Sequence, residues 1–188
     1  NARKKNYTSS SRDVKAEILK LKSHSVDAVV LDLRSNGGGV LEEAINIAGL
    51  FAGPGPMVQQ KDSRSRSFAS SYSKKRVYDG ALIVMIDRHS ASASEILAGA
   101  IKDYERGIIV GSDHTFGKGT VQTLSSLGSG LGGMKVTINK FYLPGGSSNQ
   151  LKGVSSDIVF PSVLDYSEIG EKYTDYPLQW EKAKPLKH

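Results

Sequence analysis

Apolar residues recur along the chain in two patterns, short continuous runs and longer stretches with helical spacing. Residues 28–33 and 81–87 are almost entirely apolar and have the length of buried strands. Apolar side chains in 40–51 return every three or four positions, which predicts a helix, and 92–102 follows the second strand in the same way. Strands that alternate with helices predict an α/β fold with a mostly parallel sheet and flanking helices.

Weaker patterns complete the expected domain. Three serines precede Val14, Ile18 and Leu21, whose spacing predicts a first helix with an N-cap. Further strands are predicted at 57–60, 107–111, 134–143 and 158–160, with a hairpin or irregular excursion over 61–80. The segment from Asp165 onward is polar and aromatic. We therefore predict a core over 1–164 and an extension over 165–188 that wraps the surface.

The bulk composition limits the class of protein. The 188 residues suffice for one domain with a hydrophobic core, and no apolar run approaches the ~20 residues of a membrane span. Cysteine is absent, which excludes disulfides and cysteine metal sites, and no two histidines have ligand spacing. We thus predict neither a metal nor a cofactor. The chain lacks an initiator Met and a signal peptide, so we expect an internal or processed fragment.

The net charge of +6 raises the alternative of a basic, noncatalytic binding module. Its densest basic stretch, 64–76, interleaves arginines and lysines with Phe68 and Tyr72. The simpler interpretation is a solvated loop or hairpin. Signatures of RNA-recognition domains and zinc fingers are absent, and the stretch 112–120 lacks two residues of a phosphate-binding loop. We therefore predict no nucleic-acid partner.

Serines at 90, 92 and 94 surround the predicted start of a helix that follows a buried strand. Helix N-terminal N–H groups are unpaired and favour developing negative charge, so a serine here can present Oγ beside an oxyanion donor. All three serines can instead be simple helix caps. Residues 71–74 match the S-x-x-K pattern of penicillin-binding enzymes, but the partner motifs are missing, so we interpret that match as chance.

A lysine and a glycine turn offer the other parts of a hydrolytic site. Lys118 lies between two glycines, and a buried lysine can serve as the base for a serine nucleophile. It can equally be a surface lysine in a loop. The turn 37–39 contains three glycines, whose backbone can approach a substrate and point N–H groups at an oxyanion, or simply connect strand to helix. The turn and the serine segment both follow predicted parallel strands, whose carboxyl ends usually form ligand sites.

A histidine-based triad is a further alternative. His89 or His114 could work with an aspartate, and the candidates are Asp87, Asp103 and Asp113. The sequence alone does not decide between this arrangement and a serine–lysine pair.

Four segments together resemble the carboxyl-terminal processing peptidases, and most closely the periplasmic tail-specific branch. These segments are 31–39, 90–95, 116–119 and 140–154. The resemblance implies a ClpP/crotonase-like core, with Ser92 as nucleophile, Lys118 as general base and Gln122 orienting the lysine. It also implies oxyanion donors at the N–H of Ala93 and of a turn glycine, Gly39 or Gly38.

The resemblance further implies protein substrates bound by their C-terminal tails in the periplasm or cell envelope. Relatives carry a PDZ-type module for this purpose, and none is recognisable here, so membrane association is expected only through missing segments.

The turn 112–114 is one residue longer than the family pattern, and Ser156 replaces its usual proline. If Gln122 contacts Lys118, the segment 118–122 should be a turn or short helix, because residues four apart in a strand are ~13 Å apart. A crotonase-like acyl-CoA enzyme with the same glycine turn is the remaining rival.

Overall fold

The computed structural model describes residues 8–62, 64, 66–70 and 75–187. The helices are α1 Ser10–Ser23, α2 Leu41–Ala52 and α3 Ala93–Asp103, and the strands are β1 Ala28–Asp32, β2 Pro56–Lys61, β3 Arg66–Ser70, β4 Ala81–Ile86, β5 Ile108–Gly111, β6 Thr120–Ser126, β7 Gly133–Tyr142 and β8 Ile158–Val159. Two short 3-10 turns, Val163–Tyr166 and Glu171–Tyr173, follow in the C-terminal segment.

A parallel sheet in the order β1-β4-β5-β8 forms one layer of the core. Helices α2 and α3 pack against each other beside it, and the apolar residues of both helices are buried except Leu41, which is partly buried. In β4 the burial alternates, with Val84 and Ile86 fully buried. Parallel strands need crossover connections, and α2 and α3 supply them on the side where the apolar faces meet. The predicted α/β class with a parallel sheet and flanking helices is confirmed.

A second sheet has the order β3-β2-β7-β6 and is antiparallel throughout. Strand β2 follows α2 directly, and β6 and β7 form a hairpin closed by 127–132. The sequence patterns predicted β2 and β7 but not their antiparallel sheet. The basic stretch 64–76 contributes β3, while positions 63, 65 and 71–74, including the S-x-x-K match, lie outside the described residues.

The predicted turn or short helix across 118–122 is wrong. Residues 118 and 119 have no regular structure, and Thr120 begins β6, whose register with β7 shifts between Val121 and Gln122. The physical reason is the neighbouring strand, because β7 pairs with the segment and supplies backbone hydrogen bonds that a local helix would forgo.

The segment after residue 162 lies along the 140–153 region. Trp180 Nε1 donates to the carbonyl of Ser148 at 2.8 Å, and Lys140 forms an ion pair with Glu181 at 2.6 Å. Closer to the predicted site, the Glu171 N–H donates to the carbonyl of Phe116 at 2.9 Å. The described residues contain no helix that is long and apolar enough to cross a membrane.

Candidate active site

The carboxyl ends of β1 and β4 are tied together by buried polar groups. The Asp87 carboxylate accepts from the N–H of Ser35 at 2.9 Å, and also from the N–H groups of His89 and Ser90. The Ser90 hydroxyl donates to the carbonyl of Leu33 at 2.8 Å and accepts from the Asp87 N–H. Ser90 is therefore a buried link between two strand ends, and it is not a cap of α3. These bonds fix the glycine turn relative to the start of α3.

Ser92 occupies the N-cap position of α3 in an unusual backbone conformation. Its φ is 58° and its ψ is −114°, a region that residues with a side chain rarely adopt. Such a conformation costs of order 1–3 kcal/mol and persists where the surroundings impose it. Strained backbone at a strand-to-helix turn is typical of residues whose side chain must be presented at one position.

Glu95 holds this turn in place from inside the protein. Its side chain is fully buried, and Oε2 accepts from the N–H of Ser92 at 2.8 Å and of Lys118 at 2.9 Å. The other oxygen, Oε1, accepts from Thr115 Oγ1 at 2.6 Å and the Gly117 N–H at 2.7 Å. Burial raises the pKa of Glu95 to about 7, and the four hydrogen bonds oppose that rise. One carboxylate thus connects the backbone of the serine to the backbone of the lysine.

The glycine turn packs directly on the start of α3. A Cβ on Gly38, whose φ is +92°, would lie 2.6 Å from the Ala91 carbonyl oxygen and 2.8 Å from the Ala93 nitrogen. Only glycine permits this approach. The Gly38 N–H already donates to Asn36 Oδ1 at 3.0 Å, which leaves Gly39 as the better of the two predicted turn donors. Within the described ranges, the N–H groups of Gly39 and Ala93 have no acceptor.

A cleft of about 380 Å³ opens where these segments meet. Its lining includes every residue that the sequence analysis placed in the site, namely Gly38, Gly39, Ser92, Ala93, Lys118 and Gln122. Neighbouring walls come from α2, α3 and β7 through Leu41, Ile96 and Phe141. The cleft therefore brings a hydroxyl, an amine and unpaired backbone N–H groups to one space.

Lys118 and Gln122 reach this cleft in different ways. The lysine is half-buried, and its Nζ has no hydrogen-bond or ion-pair partner in the part of the chain that the structure describes. Gln122 is exposed, and its Nε2 donates to Thr137 Oγ1 on β7 at 3.4 Å. The amide therefore points to its cross-strand neighbour, although the side chain still borders the cleft.

The histidine alternative finds little support in the geometry. Asp113 pairs with Arg88 at 2.8 Å, and Asp103 accepts from the Gly145 N–H at 2.6 Å. His114 Nδ1 lies 2.5 Å from the Thr115 carbonyl oxygen. Together with the bonds of Asp87, these contacts give the candidate acids structural partners, and neither His89 nor His114 lines the cleft.

Comparison with known proteins identifies the family of the chain. The model of peptidase family S41 matches residues 4–160. The chain belongs to peptidase family S41. It is 47% identical over 184 residues to the tail-specific protease of Haemophilus influenzae, covering 94% of this chain and 26% of that protein. It is also 39% identical over 146 residues to the chloroplastic C-terminal processing peptidase of Tetradesmus obliquus, covering 77% of this chain and 31% of that protein.

Among solved structures, the S41 chain is similar to the photosystem II D1 C-terminal processing protease. The TM-score is 0.71 at 35% identity, and the match covers 80% of this chain and 39% of that one. The chain thus spans well under half the length of these relatives. The resemblance to carboxyl-terminal processing peptidases and the ClpP-like fold class are confirmed.

The sequence analysis did not predict two supporting residues of the candidate site. Glu95 was part of the resembling segment 90–95, but no role was assigned to it, and Thr115 was not singled out. The S-x-x-E spacing of Ser92 and Glu95 is a capping-box signal that could have identified the carboxylate. Over the described ranges, no group of three or more His, Asp or Glu side chains is arranged to hold a metal ion.

Proposed function

We propose that this chain is the catalytic core of a serine endopeptidase that uses a Ser92–Lys118 pair. The observation that carries the proposal is the shared cleft, which is lined by Ser92, by Lys118 and by the two residues with unpaired N–H groups. A hydroxyl, a potential base and oxyanion donors are the three parts that acyl transfer requires.

In the proposed mechanism, the neutral Lys118 amine takes the proton of the Ser92 hydroxyl while Oγ attacks the scissile carbonyl carbon. The N–H groups of Ala93 and Gly39 donate to the resulting oxyanion. The Lys118 ammonium then protonates the leaving amine, and the carbon–nitrogen bond breaks to leave an ester on Ser92. Water, deprotonated by the same lysine, hydrolyses that ester. Although 118–122 forms no helical turn, the register shift between Val121 and Gln122 interrupts the regular strand, and the side chains of Lys118 and Gln122 border one cleft. Gln122 is therefore proposed to orient the lysine once substrate displaces its contact with Thr137.

The substrates proposed here are proteins presented by their C-terminal tails, and the proposed location is the periplasm or cell envelope. The support is the family and its relatives, which include a tail-specific protease and a C-terminal processing peptidase. The chemistry uses only groups of the chain itself. Recognition of the tail is proposed to require a PDZ-type module, so this chain alone should cleave tail-bearing proteins slowly.

A fluorophosphonate probe tests the nucleophile directly. We expect the 188-residue chain to be labelled at Ser92, and the Ser92→Ala variant to lose labelling by several orders of magnitude in rate. Ser94→Ala is the matched control and should keep labelling, because Ser94 does not line this cleft. Unchanged labelling of Ser92→Ala would refute the assignment, and absence of labelling in the wild type would favour an acyl-CoA enzyme or a binding module.

The base is tested in the same assay. Lys118→Arg should lose labelling as fully as Lys118→Ala, because an arginine stays protonated and cannot accept the serine proton. His89→Asn and His114→Asn should remain active. If Lys118→Arg is labelled normally and a histidine variant is not, a histidine triad replaces the proposed pair.

A further inference from the structure

The two peptide groups on either side of the Lys118 α-carbon are held by two different buried side chains. The N–H of Lys118 itself donates to Glu95, which approaches from α3. The next N–H along the chain, that of Gly119, donates to Gln150 Oε1 at 2.9 Å, from the loop that follows β7. Because each peptide group is planar, fixing both groups fixes the two backbone dihedrals of the residue between them. Gln150 is therefore the second anchor of the lysine backbone.

The side-chain amide of Gln150 has a partner at each end. The residue is buried, with 2% of its surface exposed, and it does not line the proposed catalytic cleft. While its oxygen accepts from Gly119, its Nε2 donates to Glu171 Oε1 at 3.2 Å. A carboxylate can only accept and a backbone N–H can only donate, so a single orientation of the amide satisfies both partners. Glu171 thus keeps the amide oxygen directed at the Gly119 N–H.

Glu171 belongs to the C-terminal segment, which also contacts the lysine loop directly. Its backbone N–H donates to the carbonyl of Phe116, two residues before Lys118, at 2.9 Å. A Cβ on Gly170, whose φ is +144°, would lie 3.0 Å from the same carbonyl oxygen, so glycine permits this close approach. The segment that was expected to wrap the surface therefore reaches the backbone around the proposed base.

We propose that Gln150 is a positioning residue for Lys118, and that Glu171 holds Gln150 in its working orientation. This inference rests on the proposed function, because it concerns the base of that reaction. Among the described residues, Lys118 Nζ has no hydrogen-bond or ion-pair partner, so its position relative to Ser92 depends on the backbone from which the side chain extends. Displacing a catalytic group by about 1 Å can cost about 100-fold in rate. Neither Gln150 nor Glu171 lines the cleft, so both act through the lysine backbone.

The role of Glu171 is tested by the rate at which a fluorophosphonate labels Ser92 in the 188-residue chain. Glu171→Ala removes the acceptor of the Gln150 amide, and labelling should slow by about 10-fold. Glu171→Gln keeps an oxygen that can accept the same hydrogen bond, so its rate should stay within about 3-fold of wild type. Glu168→Ala, at an exposed position of the same segment, is the matched control and should be labelled at the wild-type rate.

A second substitution tests whether Glu171 acts through Gln150. Gln150→Met removes both ends of the amide at similar volume, and labelling should slow by about 100-fold. Adding Glu171→Ala to Gln150→Met should change the rate by less than about 3-fold, because the carboxylate then has no amide to hold. Independent effects would instead multiply to about 1,000-fold.

Hydrogen exchange of the Gly119 amide, followed by NMR, measures the anchor without any reaction. The exchange should be about 10-fold faster in Glu171→Ala than in wild type and should return to the wild-type rate in Glu171→Gln. A loss of general stability would not distinguish these two variants in this way, because thermal unfolding of both should match that of Glu168→Ala.

The outcomes separate this inference from the proposed function. Wild-type labelling of Glu171→Ala and Gln150→Met, with Lys118→Arg unlabelled, overturns the positioning role and leaves the Ser92–Lys118 pair intact. Slow labelling of Glu171→Gln, or effects that multiply in the double variant, also overturns it. If Gln150→Met does not fold, the two Glu171 variants still decide. A wild-type chain that is not labelled removes the proposed function, and the positioning role with it.

Discussion

Lys118 and Gln122 are close in sequence, yet the fold holds them by different means. The backbone of Lys118 is bound to a fully buried carboxylate, which also binds the backbone of Ser92. Gln122 lies on β6, whose outer half is exposed, as Leu124 shows with 75% of its surface accessible. The backbones of Lys118 and Ser92 are therefore positioned by buried polar contacts, whereas the Gln122 amide depends on one cross-strand contact of 3.4 Å. Positions of low local stability are where substrate can rearrange a site.

Removal of the buried Glu95 carboxylate should have the largest effect, because it holds the backbones of Lys118 and Ser92. Glu95→Ala leaves three backbone N–H groups and the Thr115 hydroxyl without their acceptor, and each buried unsatisfied group costs about 1–3 kcal/mol. We expect a loss of several kcal/mol in the free energy of unfolding by urea and a collapse of fluorophosphonate labelling. Glu42→Ala, at an exposed position of α2, should change neither measurement. A Glu95→Ala chain that is stable and fully labelled would show that the carboxylate does not position the pair.

A milder change separates the charge of Glu95 from its hydrogen bonds. The folded-state pKa of Glu95, about 7, lies above the ordinary glutamate value of 4.5, so between these pH values the native chain binds a proton that the unfolded chain releases. The stability that proton binding by Glu95 gives the folded chain is fully present below about pH 4.5 and is lost as pH rises through about 7. Glutamine does not titrate, so the stability advantage of wild type over Glu95→Gln should shrink between about pH 5.5 and about pH 8.

Urea unfolding of wild type and Glu95→Gln at both pH values measures the difference in their free energies of unfolding. The contributions of the other titrating groups are common to both chains and cancel in that difference. A gap that widens with rising pH would mean that the four hydrogen bonds outweigh burial and hold the pKa of Glu95 below its ordinary value.

The smallest effect is expected at the exposed side of the site. Gln122→Ala should change the free energy of unfolding by no more than about 0.5 kcal/mol, because its side chain is exposed. If the amide orients Lys118 in the complex, the rate of fluorophosphonate labelling should fall by about 10-fold. Thr123→Ala, the adjacent exposed position on β6 that does not line the cleft, is the matched control. Equal labelling rates for the two variants would remove Gln122 from the site.

The elements that the sequence predicted well are those that bury one face along their length. The apolar runs at β1 and β4 and the helical spacing of α2 and α3 identify their elements directly, because both strands and helices bury most of one face. Strand β6 gave no such signal, since most of its residues after Thr120 are exposed and its apolar positions do not alternate with polar ones. Its pairing with β7 depends on the whole hairpin, which is longer than the short stretch of sequence in which a strand pattern can be recognised.

The motifs that line the candidate site could be predicted from the sequence, but the hydrogen bonds that connect them could not. The serine segment, the lysine between glycines and the glycine turn stand out as motifs, and the structure places all three at one cleft. The role of Glu95 depends on contacts with residues that are distant in sequence, from Thr115 to Lys118. A glutamate shortly after a helix start is common, and only its complete burial distinguishes this one. The link of Ser90 to Leu33 was likewise invisible, because it joins two strands through a tertiary contact.

At position 92, the backbone conformation favours glycine, whereas the proposed chemistry requires serine. At φ 58° and ψ −114°, glycine would relieve the strain that a side chain creates, so selection for folding alone would favour glycine at this position. The chain retains serine there. If Ser92 is the nucleophile, the chain is less stable at this position than it would be with glycine, and it keeps the side chain that the reaction needs. Such a trade-off between stability and activity is common at active sites. An evolutionary lineage that lost the activity would be free to drift toward glycine at this position.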